Sequence, residues 1–321
     1  MITLATKTKA AIENNILEDQ GARYRLAFKQ VMPHMTDAYR GADPDGGFRS
    51  HLGASIIGKE CARAIWYGFR WARAANFSGR MIRLFHRGHS EEARFLAMLL
   101  AIGCQVYQQD ANGKQFRISD VGGHFGGSGD GVVIGLPDVP PGAPCLAEFK
   151  THGEKSFLKL VKEGVRVAKF EHFVQMQIYM RKMNILYAMY GAVNKNTDEI
   201  HLEMVTLDAN LADQFLDRGR QIIMMRSVPE KMPNASPGFF ACRFCDVKDI
   251  CHSNASMDHN CRTCHHAVAR EDGTWWCESK ERQTAMLFDG DRKENDVVVG
   301  ETYQLTKERQ LTGCQSFYSP V

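Results

Sequence analysis

The sequence predicts an α/β protein in which a mixed sheet is flanked by helices, and three observations predict it. Helix-like segments and short β-branched runs alternate along the chain instead of falling into separate blocks. Two strand-like runs, GDGVVIG and LAEFKT, are separated by the turn-rich LPDVPPGAP, which reads as a hairpin or a pair of neighbouring strands. The length of 321 residues, with 44% hydrophobic and 24% charged, suffices for one sizeable core and a small second module.

Taken in order, residues 1–34 read as helix with a break near Gly21. The loop YRGADPDGGFRSHLG leads into the helix that carries Cys61, and a further helix is expected over about residues 87–102, ended by Gly103. CQVYQQDANGKQFRISDVGGHFGG is expected to form a hairpin feeding the strand after Asp130. After LAEFKT the pattern gives two helices over 154–184, strands in ILYAMYGAV and EIHLEMVTL, and a helix running from the N-cap Asp208 to about Met225. The resulting division is an N-terminal helical segment (1–34), a main domain (35–255) and a Cys-rich module (256–321).

Composition excludes some classes. There is no run of 18 apolar residues and no charged-then-apolar leader, so neither membrane insertion nor secretion is expected. Ten cysteines in that context point to metal sites in a reducing cytoplasm. The net charge of +3 is too small to announce a nucleic-acid partner. Residues 59–87, however, hold Lys59, Arg63, Arg70, Arg73, Arg80, Arg83 and Arg87 against one acid, Glu60. Those arginines suit a phosphate backbone. The interleaved Trp66, Tyr67, Phe69 and Trp71 would either stack on bases or, the favoured reading, pack as helix core.

The chemistry concentrates around Gly129-Asp130 and Glu148-Phe149-Lys150. Side chains two apart on a strand share a face, so Glu148 and Lys150 would point the same way, and the hairpin would bring Asp130 beside Glu148. Two hard carboxylates suit Mg²⁺ or Mn²⁺, and an ammonium suits either an attacking water or the charge of a pentavalent phosphorus. Pro137-Asp138 is a competing acid, rejected because it sits in a Pro-rich turn with no strand behind it. On the following helix Gln175 and Tyr179 are four apart and share a face. Gln177 is a rival for Gln175 but lacks a Tyr at the fourth position.

Gly-Asp, Glu-x-Lys and Gln-x3-Tyr in this order resemble the RecB-like branch of the PD-(D/E)xK nuclease superfamily, which includes phage recombination exonucleases and CRISPR-associated RecB-like nucleases. The resemblance covers roughly residues 50–255. It implies a restriction-endonuclease-like core, a metal-dependent deoxyribonuclease with Asp130, Glu148, Lys150, Gln175 and Tyr179 in the site, and a His or Glu from an upstream helix. His89 is preferred for that last role, with Glu92 on the same face and His86 and Glu91 as neighbours. It further implies DNA as partner, exonuclease action in recombination or repair, a single-strand annealing protein as companion, and a bacterial host cytoplasm for a phage-encoded chain.

Eight cysteines form two sets. Cys242, Cys245 and Cys251 are spaced C-x2-C-x5-C, and Cys61 stands far upstream. In a subset of the family that order surrounds a four-iron four-sulfur cluster; zinc is the rival metal, since four thiolates suit both. Cys261, Cys264 and Cys277 look like a small zinc ribbon with Cys314 as fourth ligand, or His259, His265 or His266 in its place. Cys104 and Cys145 are left as small buried hydrophobes. The alternative to an enzyme is a DNA-binding or assembly factor with an inactive site on a metal-thiolate platform, which three intact site residues argue against.

Overall fold

The computed structural model describes residues 2–36, 48–75, 77–109, 115–279, 298–299, 302–305 and 310–311. The chain forms two compact units, each assembled from separated segments: Met1–Gly41, Phe77–Ile118 and Gly127–Leu216 in the first, Ala42–Asn76, Ser119–Gly126 and Asp217–Val321 in the second. Among the described residues no helix is long and apolar enough to cross a membrane.

The first unit is built on a five-stranded mixed sheet in the order Gln105–Tyr107, Gly131–Ile134, Pro144–His152, Tyr187–Asn194, Ile200–Thr206. Gly131–Ile134 pairs antiparallel with Pro144–His152, with Gly131 opposite Ala147. Pro144–His152 then pairs in parallel with Tyr187–Asn194. A parallel neighbour requires a crossover, and helices Glu154–Glu163, Val165–Ala168 and Phe170–Met183 supply it. The sequence suggested two helices there; Gly164, with φ +75°, divides the first stretch.

The two faces of the Pro144–His152 strand have different fates because side chains alternate. Cys145, Ala147 and Phe149 enter the apolar core with Phe95, Leu96, Leu99, Met189 and Val193. Phe95 and Phe149 stack with ring centroids 4.8 Å apart and planes 1° from parallel, a pair worth about 1 kcal/mol beyond its buried area. The opposite face carries Glu148, Lys150 and His152. Cys104 and Cys145 are both core members, as expected.

Helix Gly79–Ala101 begins earlier than the sequence pattern indicates, at the N-cap Ser78, whose hydroxyl accepts from the Met81 amide at 3.3 Å. Its first two turns bury nothing, and Met81, Ile82, Leu84 and Phe85 are exposed there. Within the stretch expected to form a hairpin, residues 104–127, Gln109 bridges Gln115 antiparallel and Arg117–Asp120 neighbours Phe125–Ser128, while Gln105–Tyr107 pairs instead with Gly131–Ile134 at the edge of the five-stranded sheet.

In the second unit Cys61 caps helix Ala62–Phe69, its sulfur accepting from the Ala64 amide at 3.4 Å. Trp66, Tyr67, Phe69 and Trp71 are buried, as core packing requires and base stacking would not. Arg70 is buried too, its guanidinium 4.8 Å from the Trp66 ring and 5.4 Å from the Trp275 ring, and burial lowers its pKa to about 10. Arg73 is held by Asp258 (2.9 Å) and Asp249 (2.6 Å). Residues Cys261–Thr263 form a 3-10 turn closed by an Asn260–Thr263 capping box. It leads into the antiparallel strands Ala267–Ala269 and Trp275–Cys277, which place Cys277 opposite Ala267.

Candidate active site

Every candidate catalytic residue lies in the first unit. Asp130 immediately precedes Gly131, so continuing the antiparallel register brings it opposite Glu148. Where backbone pairing stops, the Asp130 side chain takes over: its Oδ2 accepts the Phe149 amide at 2.8 Å. Glu148 is fully buried, and Lys150 donates its ammonium to Glu148 Oε1 and to the Phe149 carbonyl (3.0 Å), with Asp130 at 3.8 Å. Asp130, Glu148 and Lys150 thus form one compact charged group on one sheet face.

The helix Phe170–Met183 contributes the next two residues. Gln175 favours the ionised form of the Glu148 carboxyl and donates to the Tyr179 hydroxyl at 3.4 Å. Both are buried. Gly127 is required beneath Tyr179, because a Cβ there would overlap the phenol ring and its hydroxyl. The rivals have other work. Asp138 accepts the Lys7 and Thr8 amides (3.2 and 2.6 Å) and so caps the first helix, Thr6–Asp19. Gln177 donates to the Thr206 carbonyl (3.0 Å) and accepts the Asp208 amide (2.6 Å), tying helix to strand.

His89 is 39% exposed and lies 3.6 Å from Glu92, whose hydrogen bond raises the imidazole pKa. Glu92 acts electrostatically on both Asp130 and Glu148. The Gly79–Ala101 helix therefore presents a His–Glu pair to the site, with Glu92 the member that adds negative charge.

The electrostatics are those of an over-filled anionic pocket. Burial, then repulsion by Glu148, raises the Asp130 pKa well above the usual carboxylate range, with Lys150 opposing. Burial raises Glu148 as well, against the attraction of Lys150. Burial works to lower Lys150, but Glu148 and Asp130 outweigh it, so the ammonium is held more firmly than in water. Glu148 Oε2 is buried with no hydrogen-bond partner, a costly condition for a carboxylate oxygen. Two hard, electrostatically strained carboxylates, one with an orphaned oxygen, fit a hard divalent cation, which commonly takes one or two carboxylates and completes its shell with water and substrate oxygens. Among the described residues no three His, Cys, Asp or Glu side chains gather closely enough to hold a metal on their own.

The cysteines lie in the second unit. Burial raises the Cys245 thiol, with the neighbouring Cys61 a smaller contributor in the same direction. Cys242 is buried on the turn where the Cys245 amide donates to the Cys242 carbonyl at 3.2 Å. Cys261 and Cys264 sit on a similar turn, with the Cys264 amide on the Cys261 carbonyl at 3.0 Å, and Cys261, Cys264 and Cys277 are all buried. Cys314 lies outside the described residues.

Sequence reasoning missed a second polar group on the same sheet face. Tyr190, opposite Glu148 in the parallel register, is bonded through its hydroxyl to His152 Nε2 (2.9 Å) and His172 Nδ1 (2.8 Å). The only available signal was the alternation Glu148, Lys150, His152.

No family model and no curated protein matches the chain. Among solved structures it is similar to LHK-Exo, an alkaline exonuclease from Laribacter hongkongensis, at 14% identity and TM-score 0.36, covering 54% of this chain and 86% of that one. The complex of LHK-Exo with dAMP gives 16% identity and TM-score 0.40 over the same shares. SSO0001 gives 12% identity and TM-score 0.38, over 74% of this chain and all of the other. These likenesses are distant, and the reading of the site rests on its own residues.

Proposed function

We propose that the protein is a Mg²⁺- or Mn²⁺-dependent deoxyribonuclease of the RecB-like PD-(D/E)xK type, an exonuclease that processes DNA ends for recombination or repair. The observation that carries the reading is the register that sets Asp130 against Glu148, leaving a buried, unbonded carboxylate oxygen beside the Lys150 ammonium. Asp130 and Glu148 would hold the ion. When bound, it would acidify a water and neutralise phosphate charge. Lys150, anchored by Glu148 and the Phe149 carbonyl, keeps its proton at neutral pH in the metal-free site, which suits it to orient a water and to stabilise charge developing on phosphorus. Gln175 steadies Glu148, and Tyr179 closes the same side.

DNA is the proposed partner. Arg80, Arg83 and Arg87 are exposed on the first turns of helix Gly79–Ala101, among the exposed apolar side chains Phe77, Met81, Ile82, Leu84 and Phe85, a composition suited to phosphates and base faces together. An iron-sulfur cluster at Cys61, Cys242, Cys245 and Cys251, and zinc at Cys261, Cys264, Cys277 and Cys314, complete the proposal. Anaerobic metal analysis and visible absorption test both thiolate sites. The nuclease reading is tested with Glu148→Ala, which should bind DNA as the parent does and cleave none of it in Mg²⁺; cleavage at the parent's rate would overturn the assignment.

A further inference from the structure

Beside the charged group lies a partly buried hydrogen-bond chain that the reaction outlined above does not use. Ser156 Oγ is 3.2 Å from His152 Nδ1, His152 Nε2 is 2.9 Å from the Tyr190 hydroxyl, and that hydroxyl is 2.8 Å from His172 Nδ1. Tyr190 is fully buried and His152 nearly so. Burial, with nearby Lys169 and Lys150, lowers His152 to about 4; burial, with Lys150, His152 and Lys169, lowers His172 to about 3. Both imidazoles are therefore neutral at neutral pH, and one phenol hydroxyl accepts from one and donates to the other.

The three residues come from three elements. His152 ends the strand that carries Glu148 and Lys150, Tyr190 stands on the parallel neighbour opposite Glu148, and His172 begins the helix that carries Gln175 and Tyr179. A single oxygen thus ties the lysine strand to the glutamine helix. Stability alone does not call for this, since a well-packed apolar trio of similar volume holds a core at least as well as a satisfied polar one. What the polar chain adds is directional geometry that apolar packing lacks.

We propose that His152, Tyr190 and His172 are positioning residues that fix Glu148 and Lys150 against Gln175 and Tyr179. The inference rests on the nuclease reading of that site and deepens it. Removing the shared hydroxyl frees helix and strand to drift by a fraction of an ångström, and misplacement on that scale costs about 10- to 100-fold in rate.

The test is Tyr190→Phe, which keeps the ring, in the full-length protein. Expected are a kcat lower by about 10- to 100-fold, KM and metal-free DNA affinity within about twofold, and an unchanged fold by circular dichroism. His152→Gln and His172→Asn, which can replace the bonded nitrogen, should recover much of the rate that His152→Leu and His172→Leu lose. An unchanged kcat in Tyr190→Phe, or equal losses in the amide and leucine variants, would overturn the proposal. A readout independent of cleavage is ¹⁵N NMR at pH 7. Tyr190→Phe should shift the His152 and His172 ring nitrogens together with the Gln175 side-chain amide. If the parent cleaves no DNA, the nuclease reading fails while those shifts still report the linkage; if the Gln175 resonance does not move, the positioning role fails whatever the activity.

Discussion

Asp130→Asn should make the metal-free protein more stable while destroying its activity. The substitution preserves side-chain size and an oxygen for the Phe149 amide, now accepted at 2.8 Å. It removes a charge that burial and Glu148 both oppose. Lys150 loses a partner 3.8 Å away but keeps Glu148 and the Phe149 carbonyl. A carboxyl whose folded pKa is raised contributes stability below its unfolded pKa and loses it as pH rises through the folded value. The variant's advantage should therefore appear above the ordinary carboxylate range and vanish in acid. Relieving such a functional strain commonly returns about 0.5–2 kcal/mol, or a few degrees in Tm for a protein of this size. The assay is thermal unfolding at pH 7 in EDTA and again in Mg²⁺. At a hundred times Kd the ion should stabilise the parent by about 2.7 kcal/mol and the variant far less, while cleavage falls by roughly 1000-fold, about 4 kcal/mol of barrier. A variant less stable than the parent in EDTA, or one that gains equally from Mg²⁺, would refute the reasoning.

Three further predictions follow from the same geometry. Asp138→Ala should cost about 1 kcal/mol, because the Lys7 and Thr8 amides lose their acceptor, yet leave cleavage at the parent's rate; urea unfolding and a nuclease assay check both halves. Gly127→Ala should cost about 1–3 kcal/mol by overpacking and slow cleavage by displacing Tyr179, with Tyr179→Phe in the same chain restoring part of the stability. As pH falls from the ordinary histidine value of 6.5 towards about 4, the parent should lose stability at up to about 1.4 kcal/mol per unit for each of His152 and His172, since unfolding takes up a proton that the folded imidazole refuses. His172→Asn should reduce that slope by one proton in urea titrations at pH 7, 6 and 5.

The site was legible in the sequence to the extent that it is local. Alternation put Glu148 and Lys150 on one face, and turn chemistry separated Asp130 from Asp138, which proves to be a helix cap. Helical spacing likewise set Gln175 and Tyr179 together, against a Gln177 that ties the helix to Thr206 and Asp208. What escaped depends on contacts between distant segments. Tyr190 meets His152 only through a parallel register set after a three-helix crossover, and nothing in YAMYGAV announces that partner. Gly127 looks like any glycine of a Gly-rich loop until Tyr179 lies against it. Helix Gly79–Ala101 was read short although Met81, Ile82, Leu84 and Phe85 already stand at helical spacing ahead of residue 87; in the structure these apolar residues are exposed. Two units woven from separated segments leave no linker to mark them.

The central claim is metal-dependent attack on DNA from its ends, and the most direct measurement is digestion of end-labelled linear DNA beside closed circular DNA, by anaerobically purified protein with Mg²⁺ or Mn²⁺ and a Glu148→Ala control. The account predicts loss of the linear substrate alone, abolished by EDTA and absent in the control, with the label giving the polarity. Cutting of the circle would contradict exonuclease action, and intact linear DNA with fully metallated protein would contradict the nuclease assignment itself.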